Sequence, residues 1–290
     1  MITSIVDWWI GCRGRDPVLP RSEGADAGLA SAVVVTGATG GIGAEIARIF
    51  ATRGDVVVLV ARDIARLEDV AGRLSADTGG DIRVLSLDLC ASDASTALRD
   101  WLGENDLFCD ILVNSAGIGL SGRFVQHAPQ ALSELALLNV EALTQLSRAV
   151  LPDMIRRRRG GVLNVASLGG YTPGPYQAAY YASKAYVISL TEAIAWELRG
   201  FGVRVTCISP GPVETGFHAA MGSESALYRR VIPALTPAAV ARIAVNSFWL
   251  GRTAVVPGLF SRVLALALHF TPRKILAFIL GIMLRPRRDG

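Results

Sequence analysis

The chain has 290 residues, enough to bury one sizeable core and more in keeping with one α/β domain than with two. Only 19% of it is charged, and the formal charge of +4 is not gathered into a basic stripe interleaved with aromatics, which argues against a nucleic-acid surface. Half of it is apolar (51%), with a mean hydropathy of +0.40, so apolar surface beyond an ordinary core must be covered somewhere.

The first segment, MITSIVDWWIGCRGRDPVLP, breaks its apolar run at Asp7 and carries its arginines after the run, the wrong order for a secretory signal. Residues 1–30 read as a leader outside the fold, and the competing reading is an interfacial anchor led by Trp8 and Trp9. From residue 31 short β-branched runs alternate with helix-period segments: AVVVT (32–36), DVVVLVA (55–61), IRVLSLD (82–88), DILVNSA (110–116), GVLNVAS (161–167) and VRVTCIS (203–209). Strands that are apolar throughout are buried on both faces, so the pattern predicts a single parallel, doubly wound sheet flanked by helices over residues 31–254, with ligands at the carboxyl ends of its strands.

The first strand runs straight into TGATGGIG, residues 36–43, which opens a helix near Ile42. Gly37, Gly41 and Gly43 stand where a tight turn needs positive φ or where backbone must approach a phosphate, and the helix start offers free N–H groups to a pyrophosphate. The run RRRR at residues 156–159 closes a helix before Gly160 and reads as a solvated, charge-favoured C-terminus. Cys12, Cys90, Cys109 and Cys207 show no metal or redox spacing, so no metal is expected and the chain reads as a reduced, cytoplasmic protein. In AYYASKAY, residues 179–186, both Tyr180 and Tyr181 share a helix face with Lys184, and helical spacing alone does not choose between them.

Taken together, the spacing G-x-x-x-G-x-G, NSAG (114–117), Asn139 in LLNVEAL, Ser167 in VLNVASLGG, Tyr180 with Lys184, and PGPVET (210–215) resemble the short-chain dehydrogenase/reductase family, in the family's own order from about residue 31 to 240. The resemblance implies a Rossmann-like fold and a hydride transfer between a nicotinamide and a carbonyl or secondary alcohol. It also resolves the tyrosines: the family's serine lies about 13 residues before its tyrosine, which selects Tyr180 and leaves Tyr181 as packing. Carbonyl reduction develops negative charge on oxygen, so a positioned acid must deliver a proton, and a cation one turn along the helix would lower the phenol's pKa. By resemblance, Tyr180 is that acid, Lys184 also holds the nicotinamide ribose, Ser167 bonds the substrate oxygen and Asn139 supports a water linked to the lysine.

The resemblance extends to a cofactor set of Gly37, Thr39, Gly41, Ile42, Gly43, Arg62, Asp88, Asn114, Ala116, Gly117, Tyr180, Lys184, Pro210, Gly211, Val213 and Thr215. Asp63 lies 20 residues after Gly43, where a ribose-binding carboxylate would stand, but it also sits where Asp would cap the helix IARLEDVAGRL. The strand-end slot holds Ala61 and Arg62 instead, and in this family an arginine there pairs with the 2′-phosphate, which favours NADP over NAD. Asp88 would contact adenine, and Thr215 the nicotinamide carboxamide.

Leu168, Gly169 and Tyr171 follow the serine, and residues 216–235, with Phe217, His218 and Tyr228, have the composition of a lid. Their apolar character favours a lipophilic ketone or alcohol over a charged sugar. Thr236 and Pro237 signal a further helix, after which residues 255–290 form an extension with two apolar helical pieces split by TPRK, each too short to cross a bilayer. A tail of this kind resembles one branch of the family. It either lies on a membrane through Arg262, Arg273, Lys274 and Arg285 or folds over the substrate mouth or a subunit contact, and the split into two packable pieces favours the covering role.

The sequence thus predicts an NADP-dependent oxidoreductase of a lipophilic carbonyl or alcohol, a homodimer or homotetramer, with peripheral membrane contact as a further option. The alternatives are an NAD-dependent dehydrogenase of a small hydroxy acid and a non-catalytic dinucleotide-binding regulator.

Overall fold

The computed structural model describes residues 28–223 and 226–285; Cys12 and residues 1–27 of the expected leader lie outside them, while Ala30, the last leader position, already begins the first strand. The six expected strands form, at β1 (Ala30–Thr36), β2 (Val56–Ala61), β3 (Ile82–Ser86), β4 (Leu107–Asn114), β5 (Gly161–Val165) and β6 (Arg204–Ile208). A seventh, β7 (Ala254–Val255), is too short to carry a periodic signal in the sequence. All pairings are parallel, in the order β3-β2-β1-β4-β5-β6-β7.

Alternate residues of each strand serve opposite faces, as the two-residue period requires. Val33, Val35, Val57, Leu59, Ile111 and Val113 meet α1 (Gly41–Thr52), α2 (Ile64–Thr78) and α9 (Pro237–Trp249), through Ile46, Phe50, Leu67, Leu74 and Phe248. Ala32, Val34, Val58, Val60 and Leu112 meet α3 (Ala94–Glu104) and α5 (Leu143–Arg157) through Leu98, Leu102, Leu146 and Met154. Each such side chain fully removed from water contributes roughly 1.5–3 kcal/mol. Burial on both faces is why these strands are apolar throughout.

The chain winds outward from β1 in both directions, so β1 and β4 flank the point where strand order reverses. Thr36 and Asn114 are register partners at their carboxyl ends. Ligand sites of doubly wound sheets lie at that point. Thr36 fastens the two ends together: its Oγ1 accepts from the N–H groups of Ser115 (3.1 Å) and Ala116 (3.2 Å) and donates to the Val113 carbonyl (3.2 Å).

Two readings of individual residues meet different outcomes. Asp63 caps α2, accepting from the Arg66 N–H at 3.1 Å, so its carboxylate is engaged by the helix it starts. The arginines at 156–159 are not all solvated. Arg159 makes a two-pronged ion pair with the buried Asp110 (2.9 and 2.8 Å), and the Arg157 guanidinium stacks 4.3 Å above the Phe108 ring. The α5 terminus meets the start of β4, where Arg159 satisfies a carboxylate that strand burial would otherwise leave unpaired and Arg157 covers the neighbouring ring.

Candidate active site

The crevice between β1 and β4 opens into one cavity of about 950 Å³, whose wall runs from the glycine loop to the C-terminal helices. At its nucleotide end the loop is held as bare backbone. A Cβ on Gly37 (φ +64°) would lie 2.7 Å from the Ala116 backbone, and one on Gly43 would lie 2.6 Å from the Gly37 carbonyl oxygen. Gly40 precedes α1 with no side-chain cap, so the first N–H groups of the helix, at Gly41 and Ile42 on the cavity wall, have no partner within it. A positive helix end framed by glycines fits a dinucleotide pyrophosphate. Thr39, Ala116 and Gly117 complete this end of the wall, together with Ser115, which the sequence reading passed over.

The candidates expected to handle the proton come from α6 (Ala178–Glu197) and the turn after β5. Ser167 caps a 3-10 turn, Leu168–Tyr171, its Oγ accepting from the Gly169 N–H at 3.1 Å. That turn presses on α6: a Cβ on Gly170 would meet Lys184 backbone at 2.8 Å, and one on Gly169 the Tyr181 ring at 2.9 Å. Tyr180 and Lys184 stand one turn apart on the inward face of α6, both buried and both on the cavity wall with Ser167. The Tyr181 ring is held against Gly169 and Gly174 and also lines the cavity.

The expected lowering of the Tyr180 pKa is not what this arrangement produces. Burial dominates and pushes the phenol up to about 12, with contact to the Ser167 hydroxyl pulling the other way. Lys184 is itself brought down to about 8 by burial, and its Nζ donates to the Val165 carbonyl (3.0 Å) while standing 5.8 Å from the Tyr180 ring centre. Taking both groups out of water outweighs their mutual attraction.

Asn139 lies in a π-helical turn, Leu137–Ala142, between α4 (Pro129–Ala136) and α5. Its side chain accepts from the Ile118 N–H (2.9 Å) and donates to the Ile118 carbonyl (2.8 Å) and to Ser183 Oγ (3.1 Å), tying the loop following β4 to α6. Gly117 runs between Asn139 and Lys184: a Cβ there would lie 3.2 Å from Asn139 Oδ1 and 3.4 Å from Lys184 Nζ. Asn139 is therefore behind the wall, beside the lysine.

Besides Asn139 and Gly43, three further candidates lie outside the cavity wall. The Asn114 amide donates to Ser147 Oγ (3.2 Å) and Asn164 Oδ1 (2.9 Å), and Asn164 continues to Thr191 (2.9 Å), a buried polar ladder that anchors α5 and α6 to the sheet. The Asp88 carboxylate accepts from the Cys90 N–H at 3.0 Å and shapes its own turn. Arg62 is 61% exposed at the end of β2 and pairs with Glu134 at 3.3 Å, while Arg66, one turn along α2, reaches the wall. In contrast Pro210, Gly211, Val213 and Thr215 all line it, with Thr215 against Gly41.

The far end is built by α7 (Phe217–Met221), α8 (Tyr228–Val231) and the tail, which forms two helices, α10 (Leu259–Phe270) and α11 (Arg273–Met283). Leu264 and Leu268 of α10 and Leu276, Leu280 and Leu284 of the α11 segment line the cavity, and Ser261 packs against Gly211. The inward face of the tail therefore forms part of the cavity wall. The outward face is bare and apolar, with Leu259, Phe270 and Phe278 more than 70% exposed. Among the described residues no helix is long and apolar enough to cross a membrane, and no group of His, Cys, Asp and Glu has the makings of a metal site.

Residues 31–226 match the family model described as short chain dehydrogenase. The chain belongs to the short-chain dehydrogenase/reductase family. An oxidoreductase of Staphylococcus saprophyticus of otherwise uncharacterised activity is 38% identical over 182 residues, covering 63% of this chain and 78% of that one. Two solved structures are similar along most of the chain. A short-chain dehydrogenase from Sphingobium yanoikuyae in complex with NADPH is 30% identical with a TM-score of 0.72, covering 90% of this chain and 98% of that one. The bulky-bulky ketone specific alcohol dehydrogenase from Comamonas testosteroni is 28% identical with a TM-score of 0.69, covering 91% and 97%. For both, the covered length takes in more of this chain than the family match.

Proposed function

We propose that the protein is an NADP(H)-dependent reductase of bulky lipophilic ketones, or the dehydrogenase of the corresponding secondary alcohols. The observation that carries this reading is the single cavity shared by the glycine loop, the Ser167–Tyr180–Lys184 group and an apolar wall of tail leucines. The likeness to an NADPH-bound dehydrogenase and to a ketone-specific alcohol dehydrogenase supports it.

Gly37, Thr39, Gly41, Ile42 and Gly43 would hold the dinucleotide's phosphates, Lys184 its ribose, and Thr215 its carboxamide. When bound, the nicotinamide supplies the hydride. Ser167 orients the carbonyl oxygen, and Tyr180, kept protonated through neutral pH by burial, delivers the proton that neutralises it. The same proton must leave Tyr180 for alcohol oxidation, so oxidation gains with rising pH and reduction is favoured at neutral pH. Lys184 leaves a cation near that phenol, and Asn139 fixes the backbone behind it. A subunit contact through the helices carrying Asn139 and Tyr180 is carried over from the family resemblance. The decisive experiment is a panel of bulky ketones and alcohols followed by nicotinamide absorbance. No turnover of any member would overturn the reading in favour of a non-catalytic nucleotide binder.

The preference for NADP rests on Arg62. A 2′-phosphate would draw its guanidinium from the exposed Glu134 pair, which is worth little, into a charge-assisted bond worth about 1.5–3 kcal/mol. NADPH is therefore expected to bind at least about tenfold more tightly than NADH, with Arg62→Ala shrinking the gap. Equal affinities in the parent protein, measured by calorimetry, would sink the assignment.

The tail serves as the cavity's roof. Truncation after Pro257 is expected to expose apolar surface, promote aggregation and lower kcat/KM for a bulky ketone by about tenfold or more, the loss equivalent to one buried leucine contact. Salt-sensitive flotation of the full chain with anionic vesicles, together with a soluble and fully active truncation, would replace the roof with a membrane anchor.

A further inference from the structure

Gln177 is the N-cap residue of α6, three positions ahead of Tyr180. Caps are normally short polar residues whose side chain accepts from an N–H of the first turn, and the Gln177 side chain makes no such bond. It is 2% exposed and lies on the cavity wall, and its Nε2 is buried with no hydrogen-bond partner. Of the buried side-chain atoms without a partner among the described residues, this is the only one whose residue lines the cavity. An unpaired buried amide destabilises a fold, and methionine would fill a similar volume without that penalty. The side chain therefore stands where the fold has no use for it.

We propose that the Gln177 carboxamide is a substrate-binding group, hydrogen-bonded to a second oxygen of the substrate, so that preferred substrates are bulky lipophilic ketones carrying a further carbonyl or hydroxyl. The proposal rests on the reading of this cavity as the substrate site. The carboxamide offers donors at one end and an acceptor at the other, and turning it end for end exchanges them, so it meets either kind of oxygen. Thr172, also buried, adds a hydroxyl to the same wall, while Leu168, Leu280 and Leu284 make its surroundings apolar. A substrate without that second oxygen leaves the amide buried and unpaired, and sites built around a hydrogen bond reject analogues that lack its partner far better than apolar pockets sort by size. The subsite would thus select among ketones of equal bulk.

The test uses the full chain loaded with NADPH, a bicyclic monoketone, and its regioisomeric diketones and hydroxyketones, with binding read by calorimetry and turnover read separately. At least one regioisomer is expected to bind about tenfold more tightly than the monoketone, and Gln177→Met is expected to remove that advantage while NADPH affinity is retained. If the Met variant does not fold, Gln177→Leu is read in the same way. Selective binding without turnover would uphold the subsite and overturn the reductase reading. If no regioisomer gains, or the gain survives loss of the amide, the subsite is overturned whatever the turnover.

Discussion

Tyr180→Phe is expected to lower ketone turnover by a factor of about 10² to 10⁴, the range that a positioned general acid contributes, while NADPH still binds. The substitution keeps the ring, whose centre lies 5.5 Å from that of Phe217 and 6.1 Å from that of Tyr181, so the wall of the cavity persists and only the proton donor is removed. Tyr181→Phe, which keeps a ring lodged between Gly169 and Gly174, is expected to retain most activity. The two variants share a helix, a neighbourhood and a chemical change, so each is the control for the other. If Tyr181→Phe were the inactive one, the assignment of the proton donor would be reversed.

The fold was legible because burial on both faces leaves an unbroken apolar signature, as in Val56–Ala61. What remained hidden was the outcome of competition between groups distant in sequence. Asn114 stands in the family's motif, but the choice between facing a nucleotide and bonding Ser147 and Asn164 is made by α5 and β5, which lie 33 and 50 residues on. The arginines at 156–159 look like a solvated end until β4 brings Asp110 beside Arg159. Spacing selects Tyr180 and Lys184 but carries no information on dielectric, and so the direction of the Tyr180 shift was read wrongly. Gln177 lacked any motif. Its only sequence signal is an N-cap position filled by a residue that caps poorly.

Lys184→Met is expected to separate stability from catalysis. Lys184 is buried, and its pKa falls from 10.5 to about 8 because the folded protein strips water from the ammonium. Below pH 8 both folded and unfolded chains hold the proton, and the folding penalty is at its full size, roughly 3 kcal/mol from the distance between the two values. Between pH 8 and 10.5 the folded protein releases the proton while the unfolded chain keeps it, so the parent's stability gains with rising pH across that window. Methionine carries no charge to desolvate, although it leaves the Val165 carbonyl without its 3.0 Å donor, a loss of about 1–3 kcal/mol. The variant should therefore be at least as stable as the parent at pH 7, with its advantage shrinking by roughly 3 kcal/mol by pH 10.5. Turnover should fall by at least about 10²-fold at pH 7, where the parent keeps the cation beside Tyr180, and the gap should narrow above pH 8 as the parent's Lys184 loses its proton. Denaturant titrations of both proteins without nucleotide, at pH 7, 8 and 10.5, measure the first effect. A stability difference that does not move with pH would mean that Lys184 is not held as a buried cation, and the protonation scheme at Tyr180 would have to be rebuilt without it.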